Sequence, residues 1–271
     1  MKSILLHIGD DNGLEARVQA ALDLARAFDG HVLCQQSVSY ETFAPGDMYG
    51  TALTAVIPVM KEAAEELRAK LEADLANEDV SWEWDVRYGN AAHLLLEASA
   101  ISDVIVVGAH GANESQERAS RLVGELTTHA RTPVLVVPQK ARRLDVAGPA
   151  MVAWNGSTEA CIALRAAVPL LKRANSVYLV TVSEERERER YDVPPVSGAE
   201  YLSRHGIEAE MIDIPRGAET IAETLFEAAE TRKCAYMVMG AYGHSRLAEM
   251  LLGGVTRRVL TDPKLPILLA H

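Results

Sequence analysis

Short runs of apolar residues alternate with longer amphipathic segments along the whole chain. In the second half the apolar runs predict five strands, at residues 150–154, 177–182, 208–214, 235–240 and 267–270. The runs seldom alternate apolar with polar residues, which is typical of strands buried on both faces of a parallel sheet. Between two of them, a predicted helix carries one apolar face, formed by Leu164, Ala167, Val168 and Leu171. The alternation predicts an α/β fold with a doubly wound parallel sheet flanked by helices.

This pattern is written twice. The first apolar run is followed by Gly-Asp-Asp-Asn, and the matching run of the second half is followed by Asn-Gly-Ser. Later, DVIVVGAHG at 103–111 corresponds to AYMVMGAYG at 235–243, and the halves close with PVLVVP and PILLA. Internal similarity of this kind predicts two repeated domains, residues 1–140 and 147–271. The charged stretch 139–149, which ends in Gly-Pro, is the predicted linker.

Capping residues and charge runs add detail to the predicted helices. Asn12, with Glu15 three residues later, predicts a capping box at the first helix, and Ser157 predicts the N-cap of its counterpart. A long helix is predicted over 55–77, packed on one face through leucines at four-residue steps. The run EERERER at 184–190 predicts a solvated segment.

The composition restricts the class of partner and the compartment. A formal net charge of -11 argues against nonspecific nucleic-acid binding, although backbone N–H groups can still hold a small anion. The three cysteines are widely spaced in apolar stretches, which predicts free thiols in a reducing compartment. The histidines form no HxxxH or HxH pair, so no metal site is expected. The apolar stretch at the amino terminus is short for a signal peptide and no run is long enough to span a membrane, so we expect a cytoplasmic protein.

The clearest functional signal is the segment GAYGHSRLAEMLLGGVT, residues 240–256. Ligands of doubly wound sheets bind outside the carboxyl ends of the strands, where Gly240 and Gly243 lie. Glycines there let the backbone approach an anion closely and adopt a positive φ. Gly253 and Gly254 open a helix, whose free N–H groups and dipole favour a phosphate. This arrangement predicts a polyphosphate cradle, although ordinary turns and helix caps could explain the same glycines.

The spacing of these glycines differs from that of a Walker A loop and of the dinucleotide fingerprint GxGxxG. Gly-x2-Gly-x9-Gly, followed by a small residue and Val-Thr, instead resembles the ATP-binding motif of the universal stress protein (UspA-type) family. VAWNGS at 152–157 and SVYLVTV at 176–182 are similar to that family's first two strands. The resemblance covers the whole chain as a tandem. It implies a five-stranded, Rossmann-like parallel sheet in each domain, similar to the adenine nucleotide alpha hydrolases, with ATP or AMP bound in many members.

The resemblance also implies roles for individual residues. Asn155 stands where an Asp usually contacts adenosine, and the signature around it includes Ala153 and Trp154. Val182 stands where a backbone group meets the adenine. The phosphate positions are Gly240, Gly243, Gly253, Gly254, Val255 and Thr256. Asn155 lacks the charge of Asp, and Gly254 lacks the hydroxyl group that Ser or Thr supplies there in other members. The implied cofactor is ATP, ADP or AMP, with Mg²⁺ as an optional companion.

The first domain departs further from the motif. Gly108 and Gly111 are present, but the stretch between Gly111 and Gly124 is longer than the nine residues of the motif, and Glu125 follows. A carboxylate at the helix opening would repel a triphosphate. Although Asp10 keeps an acid in the first loop, we expect this domain to bind nucleotide weakly or not at all and to act as a structural partner.

Three functions stay open on the sequence. The first is a nucleotide-binding sensor or adaptor in the stress response, with at most slow ATP hydrolysis, because no nucleophile–base pair or P-loop lysine accompanies the motif. His244 and Ser245 are expected to be polar loop residues there. An adenylyl-transferring enzyme is the second, although the loop after the strand at 150–154 lacks the Ser-Gly-Gly-x-Asp-Ser pattern of such enzymes. A scaffold with vestigial sites in both halves is the third.

The repeat also predicts how the two halves assemble. Members of the family commonly dimerise through the last strand of the sheet, so residues 134–137 and 267–269 are expected to pair within one chain. Such pairing would cover two apolar edge strands that otherwise invite aggregation. A homodimer of the whole chain and the identity of protein partners stay open.

Overall fold

A computed structural model of the 271-residue chain describes residues 1–38, 51–111, 114–115, 118–183, 193–241 and 254–271, with residues 51–56 described in their backbone alone. Its strands are β1 (Ser3–Ile8), β2 (His31–Val38), β3 (Ser81–Tyr88), β4 (Val104–Gly108), β5 (Val134–Val137), β6 (Ala150–Ala153), β7 (Val177–Ser183), β8 (Ala209–Pro215), β9 (Tyr236–Gly240) and β10 (Ile267–Ala270). Its helices are α1 (Leu14–Phe28), α2 (Thr51–Leu75), α3 (Ala91–Ser99), α4 (Arg121–His129), α5 (Thr158–Leu171), α6 (Pro195–Arg204), α7 (Ile221–Thr231) and α8 (Gly254–Thr261).

The described strands form one sheet, in the order β3-β2-β1-β4-β5-β10-β9-β6-β7-β8. Neighbours within each half are parallel, whereas β5 and β10 pair antiparallel with Leu135 opposite Leu268. The two halves are therefore joined through their last strands, which confirms the predicted pairing of 134–137 with 267–269. Because this seam is antiparallel, the carboxyl ends of the two halves lie at opposite edges of the sheet.

The composition of the two seam strands explains why they meet. Every residue of β5 and β10 is apolar and buried. As free edges, the two strands would expose apolar side chains together with unpaired backbone N–H and C=O groups. Pairing them satisfies those backbone groups and continues the core from one half into the other.

Helices cover both faces of the sheet, as the doubly wound prediction requires. Buried residues of α1, α2, α5 and α6 pack against one face, and those of α3, α4, α7 and α8 pack against the other. The long helix predicted over 55–77 is confirmed as α2, which buries Leu71 and Leu75. The charge run at 184–190 lies outside the described residues.

The linker is packed against the protein rather than solvated. Leu144 and Val146, within the predicted linker 139–149, are buried in the core. The Leu144 N–H donates to Asp23 Oδ2 of α1 at 2.8 Å. The linker therefore adds apolar contacts to the first domain as it crosses towards β6.

The two predicted helix caps have different outcomes. Ser157 is the N-cap of α5, and its Oγ accepts from the Ala160 N–H at 3.2 Å, as predicted. The predicted capping box at Asn12 is wrong, because α1 is capped by Gly13 without any side-chain bond. Asp11 instead accepts from the Gly13 N–H at 2.8 Å, which holds the chain in a turn before the helix.

None of the helices in the described part of the chain combines the length and apolar character that a membrane span requires.

Shortening a side chain at the seam should destabilise the whole sheet. Leu268→Ala removes methyl groups from a residue that is 1% exposed, so we expect a loss of about 2–5 kcal/mol in the free energy of unfolding. Urea denaturation followed by circular dichroism measures this loss. Ile101→Ala, at a site 88% exposed, is the control and should stay within about 0.5 kcal/mol of wild type. Equal effects of the two substitutions would contradict a buried seam.

Candidate functional site

The carboxyl ends of β6 and β9 lie side by side in the second domain, with Ala153 paired to Met239. The chain leaves β6 through Trp154 and Asn155 and enters α5 at Thr158. The helix α8, which connects β9 to β10, begins at Gly254. A helix that connects parallel strands begins at their carboxyl edge, so the first turns of α5 and α8 lie at the same edge of the sheet.

The loop after β6 is held in a fixed shape. Trp154 is buried and donates from its backbone N–H to Val180 and from Nε1 to the Val193 carbonyl, at 2.8 and 3.1 Å. Exposed Asn155 accepts at Oδ1 from the Ser157 N–H at 3.1 Å. Gly156 has a φ of 79°, and a Cβ there would lie 2.5 Å from the Val193 oxygen, so only glycine fits.

Gly240 serves a purpose that the sequence did not predict. A Cβ on Gly240 would lie 2.6 Å from the backbone nitrogen of Ala160, which shows that the start of α5 packs directly against the end of β9. The expectation of a positive φ is wrong for Gly240, since the described glycines with positive φ are Gly89, Gly156 and Gly206. The close approach that Gly240 permits is to a helix of the same chain.

The start of α8 agrees with the predicted helix opening. Gly254 is exposed, and a Cβ there would meet no described atom within 4 Å beyond its chain neighbours and its own helix backbone. Val255 is half-buried, and Thr256 is buried at 4% exposure. Gly243 and Gly253, with His244 and Ser245, lie outside the described residues.

The remaining predicted residues lie on neighbouring strands. Ala153 ends β6 and Val182 is the penultimate residue of β7, and both are half-buried. The register pairs Ala153 with Val180, two residues before Val182. The structure thus brings Ala153, Asn155, Val182 and Gly240 to one edge of the sheet.

A buried ion pair occupies the equivalent place in the first domain. The Arg17 guanidinium is 0% exposed and bonds both carboxylate oxygens of Asp11, at 2.6 and 2.7 Å. It also donates to the carbonyl oxygens of His7 and Gly9. A Cβ on Gly108 would lie 3.0 Å from Arg17 Nη1, so this side chain packs where the α5 backbone packs in the second domain.

Sequence reasoning missed this pair. Asp10, which was expected to be the first-loop acid, is exposed, and Asp11 is the engaged carboxylate. A signal was present, because Arg17 is followed by buried Ala20, Ala21 and Leu24 at the spacing of one helix face. A charged residue on an otherwise apolar face requires a buried partner.

The fourth-strand loop of the first domain contains a carboxylate of its own. Glu114 accepts from the Gly111 N–H and from the Arg121 N–H, both at 2.9 Å. Arg121 is the first residue of α4, whose N-cap is Ser120. The prediction that Gly124 and Glu125 open this helix is wrong, because Ser120 starts the helix earlier and places both inside it.

Burial sets the protonation of several groups. Burial and the positive charge of Arg17 lower the pKa of His7 to about 3, so its imidazole is neutral at neutral pH. Burial raises the pKa of the Cys34 thiol to about 12 and that of Cys234 to about 11. None of the three cysteines, which all lie in the described part of the chain, forms a disulfide bond. Across the described ranges, no group of three His, Cys, Asp or Glu side chains is placed to hold a metal ion.

Known proteins share this sequence pattern and this fold. The model of the universal stress protein family matches residues 1–138 and 148–271. A universal stress protein from Archaeoglobus fulgidus is similar in structure, with a TM-score of 0.77 at 17% identity over 98% of this chain and 97% of that one. A functionally unknown protein from Pseudomonas aeruginosa has a TM-score of 0.58 at 16% identity, over 100% and 92% of the two chains. No curated protein matches. At these identities the structural likeness shows the fold alone.

Breaking the buried ion pair should be costly. Asp11→Asn leaves the buried Arg17 guanidinium without a counter-charge, and we expect a loss of about 3–5 kcal/mol in the free energy of unfolding. The matched control is Glu72→Gln, which breaks the partly exposed Arg68–Glu72 pair on α2 and should cost at most about 0.5 kcal/mol. Urea denaturation compares the two. Similar losses in both variants would mean that the Arg17 pair is not buried in solution.

The neutral His7 should make stability dependent on pH. Below pH 6.5 the unfolded chain binds a proton at His7 that the folded chain does not bind until about pH 3, so stability falls as the pH falls. Between pH 6.5 and 5 wild type should lose about 2 kcal/mol more than His7→Gln. Denaturation curves at matched pH values measure the difference. Parallel pH profiles would show that His7 titrates normally.

Proposed function

Because the chain belongs to the universal stress protein family, as a tandem of two of its domains, we propose that its second domain binds an adenine nucleotide. The ligand is ATP, ADP or AMP, with or without Mg²⁺, and the protein acts as a cytoplasmic sensor or adaptor in the stress response. The observation that carries this proposal is the exposed start of α8 at the carboxyl edge, next to the fixed loop after β6.

The α8 start fits a phosphate group. The first N–H groups of a helix have no partner within the helix, and the dipole adds partial positive charge there. Gly254 leaves room at this end, since among the described residues no heavy atom beyond its chain neighbours and its own helix backbone lies within 4 Å of its Cβ position. Together with Gly240, Gly243, Gly253, Val255 and Thr256 it forms the proposed phosphate site.

The strand ends fit the adenosine. Ala153 and Val182 are half-buried apolar residues on adjacent strands, suited to the flat face of a base. Asn155 is exposed at the end of β6 and supplies a hydrogen-bonding side chain for the ribose. Trp154 does not face a ligand in this proposal but fixes the loop through its bonds to Val180 and Val193.

The charges of the first domain favour one nucleotide site per chain. Its Gly111 N–H and its α4 start, the groups that would bind a phosphate, already hold the Glu114 carboxylate. A phosphate would have to displace this anion or lie beside it, and both are unfavourable. We therefore place the nucleotide in the second domain, with the first as its structural partner.

A charge at the α8 start should abolish nucleotide binding. Gly254→Asp places a carboxylate where the phosphates are proposed to lie, and we expect at least about a tenfold loss of ATP affinity. The matched control is Gly254→Asn, which has the same shape without the charge and should retain most of the affinity. Isothermal titration calorimetry with ATP and Mg²⁺ measures both affinities. Because there is space for a side chain at position 254, we expect both variants to fold. Equal affinities of the two variants would contradict the phosphate site. Absence of ATP binding to wild type would favour the alternative that the protein is a nucleotide-independent scaffold.

A further inference from the structure

Residues that pair across neighbouring strands form rows that cross the sheet. Equivalent rows of the two domains contain side chains of different chemistry. Leu6 pairs with Val106 of β4, and Val152 pairs with Val238 of β9. Val106 and Val238 are each the third residue of their strand, so the residues that follow Leu6 and Val152, His7 and Ala153, are equivalent. In the second domain this row across the sheet is apolar and consists of Ala153, Val180 and Ile212. In the first domain it is polar and consists of His7, Gln35 and Asp85.

The next row towards the carboxyl ends of the strands is likewise polar in the first domain and apolar in the second. Ser37 pairs with Arg87 in the first domain, where Val182 pairs with Ile214 in the second. Side chains two residues apart on a strand point to the same face, so Gln35 and Ser37 lie on one face. Leu33 on that face packs with the core beneath α3 and α4, so the polar residues continue an otherwise apolar surface.

Gln35 is the unusual residue of the polar row in the first domain. It is 0% exposed, and within the part of the chain that the structure describes neither its Oε1 nor its Nε2 has a hydrogen-bond partner. The buried Oγ of Ser37 has none either. Buried polar groups in folded proteins are nearly always paired, because leaving them unpaired costs stability. Three unpaired polar atoms on one face of one strand therefore indicate that something outside the chain pairs with them.

The charges around this face restrict what that partner is. The His7 ring is neutral at neutral pH, so His7, Gln35 and Ser37 present no net charge. At the rim Arg87 is neutralised by Asp85 at 2.6 Å and by Glu97 of α3 at 3.5 Å. At the same edge of the domain, the N–H groups suited to phosphate hold Glu114. These contacts leave neither Arg87 nor the N–H groups bound to Glu114 available to balance the charge of a phosphorylated ligand.

We propose that the first domain has a ligand site of its own at this face, which takes an uncharged molecule with an amide-type donor–acceptor edge. The Gln35 carboxamide offers N–H donors beside a carbonyl acceptor, which pair with the edge of a nucleobase or of another carboxamide. Ser37 adds a hydroxyl group that donates or accepts. This site is independent of the nucleotide proposed in the second domain, because the carboxyl ends of the two domains lie at opposite edges of the sheet.

Equilibrium dialysis with radiolabelled adenosine and nicotinamide tests the proposal, since the two probes present the shared edge on a base and on a carboxamide. The test variant is Gln35→Val/Ser37→Val, which installs the residues found at the matching positions of β7. We expect wild type to bind at least one probe and the double variant to bind one equivalent less. Competition between the two probes shows whether the site prefers the edge of a nucleobase or that of a carboxamide.

Two controls keep the outcomes distinct. Gly254→Asp should leave the Gln35-dependent binding unchanged, so a failure of the nucleotide proposal would not affect this one. Without ligand, the double variant should unfold at the same or a higher temperature than wild type, because it removes unpaired polar atoms. With a probe at ten times its Kd, wild type should gain about 3 °C or more in Tm beyond any gain of the double variant. Absence of binding to wild type, or equal binding to the double variant, would overturn the proposal.

Discussion

The antiparallel pairing of β5 with β10 is the contact on which the rest of the structure depends. It removes two apolar edges at once and turns two five-stranded sheets into a single one of ten strands. It also uses up the strands through which separate domains would pair, so a second copy of this chain would have to dock elsewhere. Because the seam reverses strand direction, it places the carboxyl ends of the two domains' strands at opposite edges of the sheet.

The two halves share a backbone plan but use different side chains at equivalent places. In the second domain the end of β9 packs against helix backbone at Gly240, whereas in the first the end of β4 packs against the buried Arg17–Asp11 pair. The first domain fills its phosphate-type N–H groups with Glu114 and lines its strands with polar residues. The second keeps an open helix start beside apolar strand ends. The same fold thereby presents carboxyl edges of different chemistry in its two domains.

The sequence predicted the strands, the repeat and the seam, because buried strands and internal similarity leave strong local signals. Contacts of individual side chains were harder to predict from the sequence. The start of α4 was misplaced because glycine spacing was followed, whereas the Ser120 cap decides where the helix begins. The role of Gly240 depends on the approach of α5, a long-range contact that no local pattern encodes. The unpaired Gln35 amide could not be predicted, because its burial beside His7 depends on the register of the sheet.

The number of adenine nucleotides held by each chain tests the central claim most directly, that one domain binds phosphate and the other excludes it. Equilibrium dialysis with radiolabelled ATP and Mg²⁺ at saturating concentration measures this ratio. We predict one nucleotide per chain. A ratio of two would show that Glu114 does not exclude phosphate from the first domain, and a ratio of zero would show that the start of α8 is not a phosphate site.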